Sequence, residues 1–401
     1  MGRRCASLVA ALIVLVGIAG CGGSGTTVGT VDSGGRLPRD FFGMNAQLVE
    51  QAAQGGKLEY ANHQGAQIAK VGVGFVRSSF TWPVVEPNPP SGGHRAYNFS
   101  ALDGWVAALA RSHLRWLPTL KGGPIPTWAA STSAPSECAA NAPPQGTANY
   151  AALMEAVARR YGRDGSFWHQ HPELPYEPIT EYEVWNEPNF GRLWCPQPDP
   201  AAYARLYVGA RTAVDAVDPR ALVLVGGLAA FRTDESGPPA KMSFQTFLST
   251  AVAEVPEFRP DVDGVGVHPY GKDPAAVLAS LAAFRAALDS VGLEDAPMVA
   301  DEVGWHTRGS LGLPPVPEPQ RAAYFRTVTP GIALSQCGVI GIAAHTWVTL
   351  EQRENYPEDW YGMANPITGK PYPSAIAYAH EVMALERGEA TRTASPACGG
   401  G

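Results

Sequence analysis

Two glutamates sit in settings suited to breaking a bond between carbon and oxygen. Glu187 follows the run from Ile179 to Val184 within Trp185-Asn186-Glu187-Pro188, and Glu302 lies within Met298-Val299-Ala300-Asp301-Glu302-Val303-Gly304-Trp305. Each closes a strand-like apolar run, and each has a tryptophan close by. One carboxyl group can hold a proton for a departing oxygen while a second, ionised, attacks or stabilises the carbon left behind. Cleavage of a sugar acetal needs both.

Further side chains fall at the same kind of position. Arg77 ends an apolar run, with Trp82 just beyond it, and Asn186 stands immediately before Glu187. His268 and Tyr270 are two apart, so they face the same side of a strand. Trp347 follows the last apolar run. An arginine, an asparagine, a histidine, a tyrosine and a tryptophan beside two glutamates would suit a polyhydroxylated ring.

These residues reach one pocket only if parallel neighbouring strands carry them. Short apolar or β-branched runs begin near Phe41, Phe75, Arg115, Ile179, Leu222, Val262, Met298 and Val339, with helical patterns between them. Leu102, Val106, Leu109 and Ala110 keep helical spacing, as do Tyr203, Leu206, Tyr207, Ala210 and Val214. Asp199-Pro200 and Asp273-Pro274 each place a capping side chain before a proline suited to a first helical turn. The alternation predicts an α/β fold, a (β/α)8 TIM barrel whose chemistry gathers at the carboxyl ends of the strands. An open doubly wound sheet is the alternative. It would want an early Gly-rich phosphate loop, and the sequence has no such pattern.

On these motifs the chain resembles retaining glycoside hydrolases of clan A, and within the clan it is most similar to families 39 and 5. The likeness runs from Phe41-Phe42-Gly43-Met44-Asn45 to the stretch Gly362–Pro371, and Pro126-Thr127-Trp128-Ala129 resembles the Pro-x-Trp-Ala segment of family 39. One departure is Asp301, where threonine is commoner in these families. The resemblance implies a retaining O-glycosidase that hydrolyses β-glycosidic bonds of an oligosaccharide or polysaccharide, with Glu187 as general acid/base and Glu302 as nucleophile. It also implies that Asn186 bonds the sugar 2-hydroxyl, that Arg77 and Tyr270 hold Glu302, and that His268 lines the site near Glu187. Trp347 would form the floor on which the sugar stacks.

Each residue also has a plainer reading. His268 could be a satisfied core histidine, and Arg77 could pair with a carboxylate elsewhere on the barrel rim. Trp82 and Trp128 are further candidates for binding the sugar; like Trp194 and Trp305, they could pack instead. Glu181 and Glu183 alternate with apolar residues and suit the outer helices or a polar layer of the barrel. Asp263 and Asp301 suit supporting roles. For the whole chain, the alternatives are a non-catalytic carbohydrate-binding surface lipoprotein and an envelope protein that reuses the fold. The presence of Asn186, Glu187 and Glu302 together favours an enzyme. No cofactor is expected, and no metal, since His268 lacks a second histidine at ligand spacing.

The N-terminus carries targeting information. Arg3 and Arg4 precede a short apolar stretch from Leu8 to Val16, and Ile18-Ala19-Gly20-Cys21 resembles a bacterial lipobox. Residues 1–20 are therefore expected to be a lipoprotein signal peptide, with Cys21 lipidated as the membrane anchor; ordinary cleavage near Gly20 is the alternative. Residues 21–38, rich in Gly, Ser and Thr, suit a flexible tether. The catalytic barrel is expected over 39–390, followed by a tail over 391–401, in a protein acting as a monomer outside the cytoplasm, anchored or secreted.

An exported chain can oxidise its cysteines. Cys138 and Cys195 fall on loops at one barrel end, Cys337 and Cys398 toward the other. Cys138–Cys195 is the favoured pairing, with Cys337–Cys398 beside it, out of the three connectivities that four cysteines allow. The formal charge is −7 with no basic stripe, which argues against nucleic-acid binding.

Overall fold

The computed structural model describes residues 36–120, 125–132, 135, 138, 141–310, 312–389 and 398. The strands are β1 (Phe42–Asn45), β2 (Phe75–Ser79), β3 (Arg115–Leu120), β4 (Glu181–Val184), β5 (Leu222–Ala229), β6 (Gly264–His268), β7 (Met298–Val303) and β8 (Val339–Ala344). They pair in parallel in chain order, and β8 returns to β1, closing a (β/α)8 barrel. Strands begin where the sequence places them, to within two residues. The largest offsets are in β4, which starts at Glu181 rather than Ile179, and in β6, which starts at Gly264 rather than Val262.

Alternation along each strand sorts the interior into layers. Phe75, Leu117, Leu224, Val299 and Ala343 form a small apolar cluster of their own. Two residues further along β2, β3 and β7, toward the carboxyl ends, come Arg77, Thr119 and Asp301. With Glu183 on β4 they build a buried polar layer. At the other end of the interior, Arg115 pairs with Glu181 at 3.1 Å. Both strand-four glutamates therefore belong to polar layers of the barrel. A strand that reads Glu-Tyr-Glu-Val can be buried throughout only because arginines meet its acids.

The larger core lies between the strands and the surrounding helices. Asp199 and Asp273 cap their helices as the sequence predicts, each accepting from a backbone N–H at 2.9 Å, those of Ala202 and Ala276. Both disulfides form, Cys138–Cys195 with Cα atoms 5.4 Å apart and Cys337–Cys398 at 4.8 Å. The expected signal peptide, Cys21 and most of the tether lie outside the described residues, as does most of the tail. No helix among the described residues is long and apolar enough to cross a membrane.

Candidate active site

The site is organised around one guanidinium. Arg77, in the middle of β2, donates Nε to Glu183 Oε2 at 2.6 Å and Nη2 to Glu183 Oε1 at 2.7 Å. Nη2 also reaches Asn186 Oδ1 at 2.8 Å, while Nη1 reaches Asn45 Oδ1 at 3.0 Å and Glu302 Oε1 at 2.7 Å. An arginine has five N–H donors, and all five are committed here. Burial works against the charge, but Glu183, Asp301 and Glu302 hold it, and the pKa of Arg77 is pushed further up.

Glu302 is gripped from the other side. Tyr270 donates its hydroxyl to Glu302 Oε2 at 2.8 Å. Burial alone would raise the pKa of this carboxyl, but His268, His345, Arg77 and the Tyr270 hydrogen bond overcome it, so the group is held well below the usual carboxylate range. Glu302 is an ionised carboxylate with one flank, 13 % exposed, open to a ligand.

Glu187 stands opposite. Its Oε1 lies 2.9 Å from His268 Nδ1. One oxygen of Glu187, one of Glu302 and a ring nitrogen of His268 all fall within 4.8 Å of one another. The backbone that presents Glu187 is unusual, with φ of 71° at Trp185 and 46° at Glu187. Non-glycine residues in that region cost about 1–3 kcal/mol each and persist where the surroundings over-determine them. Here the Glu187 N–H donates to the Gly227 carbonyl at 3.0 Å. Asn186 gives its side-chain oxygen to Arg77, which leaves its NH2 as the donor available to a ligand.

His268 is fully buried, at 0 % exposure. Burial would lower its pKa, but Glu302, the Glu187 hydrogen bond and Asp301 raise it to about 9. Its Nε2 faces Asp301 Oδ1 at 3.4 Å. Glycines make room for this layer: a Cβ on Gly227 would overlap the His268 ring, and one on Gly266 would overlap the Asp301 carboxyl.

The structure thus brings Arg77, Asn186, Glu187, His268, Tyr270 and Glu302 to one place. Of the three tryptophans expected at the sugar, Trp347 and Trp82 do not join them. Trp347 is 0 % exposed, and its indole N–H donates to Gln64 Oε1 at 2.7 Å beneath the barrel mouth. Chain direction explains the correction, because β8 ends at Ala344 and Trp347 has already turned away from the pocket. Trp82 is likewise fully buried and donates to Glu86 Oε2 at 3.0 Å. Trp128 is half-buried and meets Trp82 edge-on, with ring centroids 5.8 Å apart. Trp194 and Trp305 are buried and pack.

Sequence reasoning missed His345 and Asn45. His345 directly follows β8, with Nδ1 3.7 Å from Glu302 Oε2 and its ring edge-on to Tyr270 and Tyr361. Burial lowers its pKa, against the opposing pull of the Glu302 carboxylate. Asn45 ends β1 and donates to the Asp301 carbonyl at 2.7 Å. Position could have found both, since Asn45 ends β1 and His345 directly follows β8.

No protein-family model matches this sequence, and no curated protein matches it. Solved structures do. A monomeric β-xylosidase from Caulobacter crescentus CB15 is 19 % identical, with a TM-score of 0.60 over 86 % of this chain and 68 % of that one. A GH39 enzyme from Xanthomonas axonopodis pv. citri is 18 % identical, with a TM-score of 0.60 over 86 % and 67 %. GH5_18 from Streptomyces cattleya, solved with GlcNAc, is 18 % identical, with a TM-score of 0.62 over 89 % and 81 %. The barrel is shared with glycosidases.

Proposed function

We propose that this chain is a retaining O-glycosidase acting on β-linked sugars, with Glu187 as general acid/base and Glu302 as nucleophile. The observation that carries the reading is the opposition of two carboxyls with oxygens within 4.8 Å, one of them clamped as an anion by Arg77 and Tyr270. Retaining enzymes hold their two carboxyl groups about 5–5.5 Å apart, closer than inverting enzymes do, and nearest oxygens this close support the retaining reading.

In the first half-reaction Glu302 attacks the anomeric carbon while Glu187 passes its proton to the departing oxygen. The carbon–oxygen bond of the leaving group breaks as the ester to Glu302 forms. In the second, Glu187 takes a proton from water, the water oxygen attacks the same carbon, and Glu302 leaves as a carboxylate. Asn186 offers its NH2 to the sugar, and His345 rather than a tryptophan supplies the floor. The likeness to a β-xylosidase and to GH39 and GH5 enzymes supports this reaction class.

A panel of activated aryl β-glycosides tests the reading. Turnover of at least one, abolished in Glu302→Ala, is expected; binding without turnover across the panel would favour a non-catalytic sugar-binding protein. We further propose that the enzyme is a monomer anchored outside the cytoplasm through lipidated Cys21. Incorporation of labelled palmitate that Cys21→Ser abolishes would support the anchor, and a label-free wild-type protein would refute it.

A further inference from the structure

Phe190 and Phe231 stand apart from the packing that holds the barrel together. Both are half-buried, and neither belongs to the apolar core or packs against it. They meet each other edge-on instead, with ring centroids 5.2 Å apart, on the loops that follow β4 and β5. Phe190 comes three residues after Glu187, and its N–H donates to the Glu187 carbonyl at 3.0 Å. A turn of that kind keeps its end Cα atoms within about 7 Å, so the pair stands beside the proposed acid/base.

The two loops are fastened to one another. Phe190 and Lys241 form an antiparallel bridge, the Gly191 N–H donates to the Ala240 carbonyl at 2.7 Å, and the Met242 N–H donates to the Asn189 carbonyl at 2.9 Å. Asn189 is fully buried and acts as the latch. Its side chain accepts from the Ala229 N–H at 2.9 Å and donates to the carbonyls of Ala229 at 2.9 Å and Met242 at 3.0 Å. Ala229 ends β5, and Phe231 follows two residues later. Ring surface held in water on a fixed mount is unfavourable until a ligand covers it.

The reaction says which ligand. Glu187 passes its proton to the departing oxygen, so that oxygen must come within about 2.6–3.2 Å of the Glu187 carboxyl. Asn186, Tyr270, His345 and Glu302 surround the sugar being attacked. Whatever the departing oxygen carries lies beyond Glu187, on the side where Phe190 and Phe231 stand. Lys241 Nζ is 5.6 Å from the centre of the Phe231 ring and 2.9 Å from Glu235, which puts a donor and an acceptor at the rim of the aromatic surface. Aromatic surface with polar groups at its edge suits the apolar face and hydroxyls of a sugar ring.

We propose that Phe190 and Phe231 form the platform for the leaving group, and that this group is a second sugar unit. The substrate is then an oligosaccharide, and the two phenylalanines select for the unit that departs.

The inference rests on Glu187 as proton donor, yet it fails separately from that reading. Wild type and Phe190→Ala are compared on β-1,3- and β-1,4-linked disaccharides of xylose, glucose and mannose, and on the β-glycosyl fluoride of the same sugar, whose leaving group has no ring. The ratio of kcat/KM for disaccharide over fluoride should fall about 3- to 10-fold in Phe190→Ala, the scale of one lost ring contact, and Phe190→Tyr should restore it. An unchanged ratio, or a wild type that cleaves the fluorides but none of the disaccharides, would overturn the platform while leaving the catalytic reading intact. A fall seen with 4-nitrophenyl glycosides alone would assign the surface to an aryl alcohol and overturn the sugar. No turnover of any fluoride would sink the catalytic reading instead. Calorimetry on Glu302→Ala decides the platform even then: the preference in Kd for a disaccharide over the methyl β-glycoside should shrink by the same factor when Phe190→Ala is added, and an unchanged preference would overturn the proposal.

Discussion

Arg77 Nη1 lies 2.7 Å from Glu302 Oε1, and the same guanidinium grips Glu183 with two further bonds. One cation therefore fixes the attacking carboxylate and neutralises the acid beneath it. Removing one partner of a buried ionic network leaves uncompensated charge, at a cost of about 3–5 kcal/mol. Arg77→Ala should lose stability of that order in urea denaturation, and Arg77→Lys should recover part of it without recovering activity, because an ammonium cannot serve Glu183, Asn45, Asn186 and Glu302 at once. An Arg77→Ala protein as stable as the wild type would remove the guanidinium from the centre of the site.

Glu187 makes a prediction that depends on the substrate. General acid help contributes about 10²–10⁴-fold when the leaving alcohol needs a proton and little when it does not. Glu187→Ala should therefore lower kcat/KM by that factor on glycosides of poor leaving groups while sparing the first step with dinitrophenyl glycosides. Equal losses on both kinds of substrate would show that Glu187 does not deliver the proton.

His268 makes the fold sensitive to alkali. Its pKa in the folded protein is raised from 6.5 to about 9, so the stabilisation it contributes is fully present below pH 6.5 and is lost as pH rises through about 9. Urea midpoints should fall across that window in the wild type and fall less in His268→Asn. The depressed pKa of Glu302 acts in the opposite sense, with stability present above the ordinary carboxylate range and lost only in strong acid. A wild-type midpoint that stays flat through the alkaline window would mean that His268 is neutral at neutral pH.

Trp347 tests the revised pocket floor. Its indole N–H satisfies buried Gln64, so Trp347→Phe should cost about 1–3 kcal/mol through the unpaired oxygen, with KM for an aryl glycoside unchanged. His345→Ala should raise KM instead. A rise in KM confined to Trp347→Phe would restore tryptophan as the sugar platform.

Much of the site is legible in the amino-acid sequence. Arg77, Asn186, Glu187, His268, Tyr270 and Glu302 all lie within or just beyond the carboxyl halves of parallel strands, which gathers them at one barrel mouth, although the neighbours Asn186 and Glu187 share the pocket only through the left-handed backbone at Trp185 and Glu187. The disulfide pairs follow from which barrel end each loop occupies. Trp347 is misplaced by the sequence because its aromatic identity outweighs its position: beyond Ala344 the chain leaves the strand, and alternation no longer says where a side chain points. The partners of Glu183 and Asp301 are hidden for a different reason. Which anion meets which cation inside a barrel depends on inter-strand register, such as Thr119 beside Glu183 across β3 and β4, and a single sequence does not carry register.

The central claim is that Glu302 forms a covalent bond to the sugar. Incubation with 2-deoxy-2-fluoro glycosides, which slow the second half-reaction, followed by peptide mapping, tests it most directly. The account predicts one sugar per chain, attached to the Glu302 side chain and absent from Glu302→Ala. A sugar attached to Glu187 or to any other residue, or steady hydrolysis with inverted product and no adduct, would contradict it.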